Sequence, residues 1–355
     1  MEIKNIVNIA IWIILIAYSI KTVFKKDEEK DIPTTLILGG LGVFTSDLDF
    51  LINYINPSAN ISENTNNVLY IIGLILIILG IAMNYLSNKQ HHVFNLLGEN
   101  NKKELINNNY KVQNITTGII RERSIDIMRL SEGKEMNEEI NESMINIILN
   151  ETNIINNYAV NNGIYLTSMA SIPHSILFGT YLTDKKTIKY LNYNNSISEY
   201  VLLPNKVQKK QKINLNIDEK LSRINPEDCS EVLVSISGTF TVHEKDISEF
   251  QLNNHVSIET SDILQNNISS QEEVVSIAHE IVSTLMDLSK TYDVIHIVAA
   301  IPGMLSIELG RKIRSRDNQL KEIIVYHYNV KSNPKYEYGI VINGNSKNKL
   351  IERGI

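Results

Sequence analysis

Two strand–proline–helix corners hold the residues of this chain whose types and spacing best suit ligand chemistry. In His296–Arg314, HIVAAIPGMLSIELGRKIR, an apolar strand Val294–Ala299 runs into an Ala-Ile-Pro-Gly turn and then a helix from about Met304. A strand so uniformly apolar suits the centre of a parallel sheet covered on both faces. Pro302 has no N–H and a preset φ, which suits the first helical position, and Gly303 lets the backbone bend. In an open α/β sheet the turn beyond a strand's carboxyl end is where ligands are held, beside the unpaired N–H groups of the next helix. The plain alternative is a β–α turn with no ligand. An upstream stretch repeats the pattern: in Ile164–Gly179, IYLTSMASIPHSILFG, the residues Ala170, Ile172 and Pro173 fall in register with Ala299, Ile301 and Pro302. A third candidate is Val232–Thr239, a strand entering Ser237-Gly238-Thr239, whose small side chains and N–H groups suit a phosphate.

Other chemistry is missing. There is no P-loop, GxGxxG, HExxH or nucleophile elbow, and His279-Glu280 is followed by Ile-Val-Ser. His296, inside an apolar strand, reads as a core histidine. His91 and His92 are adjacent, so they face different sides of a helix, and they read as membrane-surface residues. The single cysteine, Cys229, excludes a disulfide framework and a cysteine-based zinc site. A net charge of -6 argues against binding a DNA or RNA polymer. A sensor fits better than an enzyme; no catalytic residue, metal or cofactor is expected.

The elements that must position these residues divide the chain of 355 residues into several parts. Residues 89–111 read as a linker, 112–203 as a first Rossmann-like half, 204–230 as a Lys-rich connector and 231–355 as a second half. In the first half, Val112–Ile120 reads as a strand with a Thr116–Gly118 loop, and Gly133–Tyr158 as an amphipathic helix. In the second, Phe240–Asp262 reads as a hairpin insertion. Ser270–Lys290 reads as a helix with Glu272 and Glu273 in its first turn. Each corner is preceded by a long helix and followed by a tyrosine-rich strand, Tyr190–Tyr193 and Ile323–Tyr328. Two such halves can face one ligand pocket.

The N-terminal 88 residues read as membrane. Residues 6–24 and 68–86 are nearly unbroken apolar runs, close to the roughly 20 residues that cross a bilayer core. Residues 34–55 form a third candidate span, burdened by Asp47 and Asp49, each costing about 2.5–3.5 kcal/mol at a bilayer centre. Lysines cluster at 21–30 and at Lys89, while Asn56–Asn67 carries none. The positive-inside tendency then gives three spans with the N-terminus outside. Two spans with the N-terminus inside is the alternative.

The second half, from Glu231-Val-Leu-Val-Ser-Ile-Ser-Gly238 through His296-Ile-Val-Ala-Ala-Ile-Pro302, Gly310-Arg311, Ile324-Val-Tyr326 and Tyr336–Ile342, resembles the SAVED domain. That family fuses two CARF-like Rossmann halves and binds cyclic oligonucleotides made during phage infection. With membrane spans in front, the chain resembles transmembrane SAVED effectors of CBASS antiphage systems. The resemblance implies a membrane-anchored α/β fold, with transmembrane helices followed by a cytoplasmic SAVED domain at the inner membrane. It implies a cyclic di- or trinucleotide from a cognate CD-NTase as ligand, the trinucleotide favoured, and homo-oligomers on binding. Damage to the lipid bilayer and abortive infection would follow.

Carried over by the same resemblance, the ligand contacts would be Ser237, Gly238 and Thr239, the Ala300-Ile301-Pro302 turn with Ser306, and Ser168, Ser171, Pro173 and His174 from the first half. Tyr326 and Tyr328 would stack on a base, and Arg311 and Arg314 would serve packing or subunit contacts. Two other classes stay open: a membrane-anchored ring nuclease, which the hydroxyls and His174 could serve, and a nucleotide-sensing subunit of a membrane receptor or of a type III CRISPR system.

Overall fold

A computed structural model describes residues 37, 74–82, 90–98, 119–131, 134–157, 163–183, 188–194, 199–206, 215–217, 230–252, 254–264 and 267–352. The chain divides into two compact units, 1–90 with 117–119 and 91–116 with 120–355. In the first unit residues 74–82 are helical, with Leu74, Ile75, Ile78, Leu79 and Ile81 exposed. Among the described residues no helix is long and apolar enough to cross a membrane. The spans expected at 6–24 and 34–55 lie outside the described residues, residue 37 excepted, as do Asp47, Asp49 and the 116–118 loop.

The second unit contains two sheets. The smaller has the order β2-β1-β3-β4-β5, from β1 (Gln90–Leu97), β2 (Ile119–Asp126), β3 (Gly163–Met169), β4 (Ile188–Asn194) and β5 (Glu199–Leu202). Strands β1, β3 and β4 run parallel, and β5 closes the edge antiparallel. Helix α1 (Glu138–Asn157) precedes β3, and α2 (Ile172–Tyr181) joins β3 to β4.

The larger sheet has the order β12-β11-β10-β9-β7-β8-β6. Its centre is the parallel set β7 (Glu231–Ser237), β8 (His255–Thr260), β9 (Val294–Ala300) and β10 (Glu322–Tyr328). Beyond β10 lie β11 (Tyr336–Asn343) and a three-residue β12 (Leu350–Glu352), and beyond β8 a three-residue β6 (Leu215–Ile217). Helix α3 (Gln271–Leu288) leads into β9, and α4 (Gly303–Arg314) joins β9 to β10. Ser270 caps α3 in a capping box with Glu273, which satisfies two end N–H groups reciprocally.

One apolar core runs through both sheets, taking Ile176 and Leu177 from α2 and Ile307 and Leu309 from α4. The two helices touch through glycine. A Cβ on Gly310 would stand 1.9 Å from the Ile176 carbonyl, and one on Gly179 would stand 2.1 Å from that of Ile307. Such approach is open only to a residue without a side chain. Around this contact a buried group ties the halves. Glu308 accepts from the Tyr190 hydroxyl and, at 2.7 Å, from Arg311, which also reaches the Tyr190 oxygen at 3.1 Å. Arg314 donates to the Leu182 carbonyl at 3.0 Å, and the Gln271 amide brackets the Tyr190 backbone with two 2.9 Å bonds. Burial, with Glu308 adding to it, pushes the Tyr190 phenol well above its ordinary value, so it remains a donor.

Several expectations are corrected. Residues 90–97 are a strand inside the sheet, not linker: Val93, Phe94, Leu96 and Leu97 are buried, and the first half begins there. His91 and His92 are buried too, His91 meeting the Tyr165 ring edge-on, so neither lies on a membrane surface. Strand β2 runs on through Arg121 and Arg123, an edge position where polar side chains stay outside and Arg123 pairs with Glu151. The segment 240–262 is not a hairpin. It makes a helical turn, Glu244–Ile247, and then β8, which pairs parallel to β7 with an alternating burial pattern.

Candidate functional site

Both corners open into one cavity of about 660 Å³, within the roughly 300–1,000 Å³ usual for small-molecule sites. The first half contributes Thr167–Ile172 and Leu191–Tyr193; the second contributes Thr239–His243, Asp246, Ala299–Met304, His327, Tyr328 and Tyr336. The corners also touch: a Cβ on Gly303 would lie 2.1 Å from the Ser168 carbonyl. That contact brings the start of α4 against the end of β3.

Neither helix start is closed by its own cap. Ser171 is the N-cap of α2 and Pro302 that of α4, not its first helical residue, and neither makes a side-chain cap bond. An uncapped first turn presents N–H groups and the positive end of the helix dipole. The caps also correct the register of the repeat. Counting from them, Ser171 matches Pro302, Ser175 matches Ser306 and Gly179 matches Gly310, two residues away from the match on the Ile-Pro pairs. The shared roles follow this count: Ser175 and Ser306 bond back to the carbonyls of Ser171 and Pro302, at 2.9 and 3.3 Å.

Of the residues expected to touch a ligand, Ser168, Ser171, Thr239, Ala300, Ile301, Pro302 and Tyr328 line the cavity. Pro173, His174, Ser237, Gly238, Ser306 and Tyr326 do not line it. Ser306 is fully buried within α4, and Tyr326 is buried with its hydroxyl 2.9 Å from His296 Nδ1, which makes both of these core residues. Ser237 Oγ accepts from the Val242 N–H at 3.0 Å and so shapes the loop behind the cavity wall. The N–H groups of Gly238 and Thr239 are not offered to a ligand: both donate to the Ala300 carbonyl, at 3.0 and 2.8 Å, and pin one corner to β7. Sequence reasoning missed Thr167, Asn192, Tyr193, Phe240, Thr241, His243, Asp246 and Tyr336. The tyrosine-rich strand at 190–193 was a signal for one of them; the segment 240–246 gave none.

His174 sits behind the α2 corner, fully buried, its Nδ1 2.7 Å from Ser171 Oγ and its ring edge-on to Tyr338. Burial, helped by His327, lowers its imidazole to about 3, so it is neutral at physiological pH. A histidine whose folded value lies below its unfolded one contributes stability above pH 6.5 that is lost as pH falls towards 3. Urea unfolding should therefore show a loss of about 2 kcal/mol between pH 7.5 and pH 5. His174→Gln should flatten that slope; an equally steep slope in the variant assigns the titration to another group. His327, which lines the cavity, is also held below its ordinary value by burial, with Glu337 pulling the other way.

No curated protein matches the chain. Among solved structures it is similar to the Cap4 SAVED/CARF-domain containing receptor of Acinetobacter baumannii with the cyclic trinucleotide 2'3'3'-cAAA, at 13% identity and a TM-score of 0.49. That match covers 86% of this chain and 62% of the receptor. It is also similar to the Moraxella osloensis Cap4 receptor, at 12% identity and a TM-score of 0.45, over 76% of this chain and 53% of that one. The chain thus spans less than two thirds of either receptor. The family model for SAVED, the SMODS-associated and fused to various effectors sensor domain, matches residues 151–342. That is more than half of the sequence and takes in both corners; the chain belongs to the SAVED family of sensor domains.

Proposed function

We propose that the chain is a CBASS antiphage effector whose SAVED domain binds a cyclic oligonucleotide, a trinucleotide first among them. The observation that supports this reading is the single cavity beneath two uncapped helix starts, one from each half. A ring of two or three phosphates carries its charges on separate faces, and two helix starts with hydroxyls from Thr167, Ser168, Ser171 and Thr241 can meet them. No cofactor takes part, and the sensor performs no catalysis. His174, one of the residues the ring-nuclease reading drew on, is buried and does not line the cavity.

Output follows from linkage. Ligand changes the state of the protein only if it binds one arrangement more tightly than another. In this proposal the favoured arrangement is an oligomer, which gathers the apolar N-terminal segments at the inner membrane and breaches the bilayer. The exposed apolar side chains of residues 74–82 suit such a segment. With detergent-solubilised protein, a cyclic trinucleotide should raise the melting temperature and the sedimentation coefficient, and the matching linear trinucleotide should bind at least about tenfold more weakly. Ala300→Trp, which fills the cavity, should abolish both shifts. Binding without any change in sedimentation would remove the assembly step, and absence of binding would remove the cyclic trinucleotide as the ligand.

A further inference from the structure

The cavity has a polarity that phosphate binding does not use. None of its described lining residues is Lys or Arg, and one, Asp246, is an acid. Asp246 and the Lys335 ammonium that pairs with it bring no net positive charge to that end, so nothing there draws a phosphate and a nucleotide ligand can turn its base towards it. Asp246 is held on the helical turn after β7 and is nearly buried. Its Oδ1 accepts from Lys335 Nζ at 2.8 Å, while Oδ2 takes no hydrogen bond among the described residues. The position is built: Glu249 accepts from the Lys335 and Tyr336 N–H groups at 3.2 and 3.1 Å, which clamps the start of β11 against the same turn.

The wall is partly aromatic, and the ammonium that holds the carboxylate lies 5.9 Å from the centre of the Tyr328 ring. Phe240 is 59% exposed and Tyr328 40%, both lining the cavity. Exposed rings in a concave site are platforms on which a flat base can stack. The cavity therefore has a hydroxyl and helix-start side for phosphate and an aromatic, acidic side for base.

We infer that Asp246 is a specificity residue: its open oxygen accepts from the exocyclic amino group of a base stacked near Tyr328, selecting amino-bearing bases over bases without that group. An ionised carboxylate only accepts, so it matches the N–H2 of adenine, cytosine or guanine; purine lacks that donor, and uracil offers only its ring N3–H, flanked by two carbonyls that the carboxylate opposes. A site built to bond a donor rejects an analogue lacking it, because the buried acceptor is left unpaired. Lys335 holds the carboxylate in place and takes no part in reading the base. The inference rests on the cyclic-oligonucleotide reading.

The test is equilibrium binding of the full chain in detergent to cyclic triadenylate, cyclic triuridylate and the cyclic trimer of purine riboside, which keeps the stack and lacks the amino group. Wild type should bind the triadenylate at least about tenfold tighter than either of the others. Asp246→Asn, which can both donate and accept, should shrink the gap to less than about threefold. Equal binding of the adenine and purine rings by wild type overturns the inference without any variant, as does an unchanged gap in Asp246→Asn. If none of the three probes binds wild type, the trinucleotide reading falls, and this inference with it.

Discussion

Replacing Gly310 with alanine is expected to remove on the order of 3 kcal/mol of stability, at the upper end for overpacking. The added methyl would stand 1.9 Å from the Ile176 carbonyl, and backbone cannot swing aside as a side chain can. The helices α2 and α4 must part, and with them the two corners that they start. For a body of this size, thermal scans should show a fall of about 6–12 °C. Gly179→Ala presses on the same crossing from the other side, towards the Ile307 carbonyl at 2.1 Å. One separation relieves both clashes, so the double variant should lose clearly less than the sum of the singles. Strict additivity would mean that the two glycines act on separate contacts.

The second large effect is expected at Glu308. The carboxylate is 2% exposed and holds Arg311 and Tyr190 together, with Lys312 at 3.5 Å. Glu308→Ala leaves the Arg311 guanidinium without its carboxylate and should cost about 3–5 kcal/mol. Removing both charges is different: Glu308→Leu with Arg311→Met should fold within about 1–2 kcal/mol of wild type, since a buried pair returns little beyond its own desolvation. Chemical denaturation of the three proteins separates these cases. A double variant as damaged as Glu308→Ala would show that the pair stabilises the crossing directly.

The corners were legible because each combines three local signals: an apolar strand, a proline that fixes the turn, and a helix-period run behind it. Strand β9 and helices α3 and α4 follow that reading to within a residue or two. Strand β1 was not legible. Its sequence opens with Gln90-His91-His92, three polar residues next to an apolar run, and nothing local says that both histidines will be buried. The register of the repeat was misjudged because proline is permitted at more than one position of a first turn. Pro302 takes the cap itself, whereas Pro173 sits two residues beyond its cap, so matching the prolines shifts the halves by two.

At the site, the hydroxyl side was readable from small residues in turns, and the base side was not. Asp246 meets Lys335 across 89 positions, and the Tyr190 hydroxyl meets Glu308 across 118. No periodicity links residues so far apart; only the packing of β4 on α4, and of the 244–250 turn on β11, brings them together. Tyr326 shows the opposite case. A tyrosine at a strand end looks exposed in the sequence, yet the neighbouring β11 covers it, and His296 takes its hydroxyl.

Among the described residues the larger sheet ends on each side in a three-residue strand, Leu350–Glu352 at one rim and Leu215–Ile217 at the other. A rim that short offers a newcomer too few ladder bonds to dock by extending the sheet. In the assembly proposed above, copies that met at these two rims would do so through side chains and loops instead of fusing into a continuous β-ribbon.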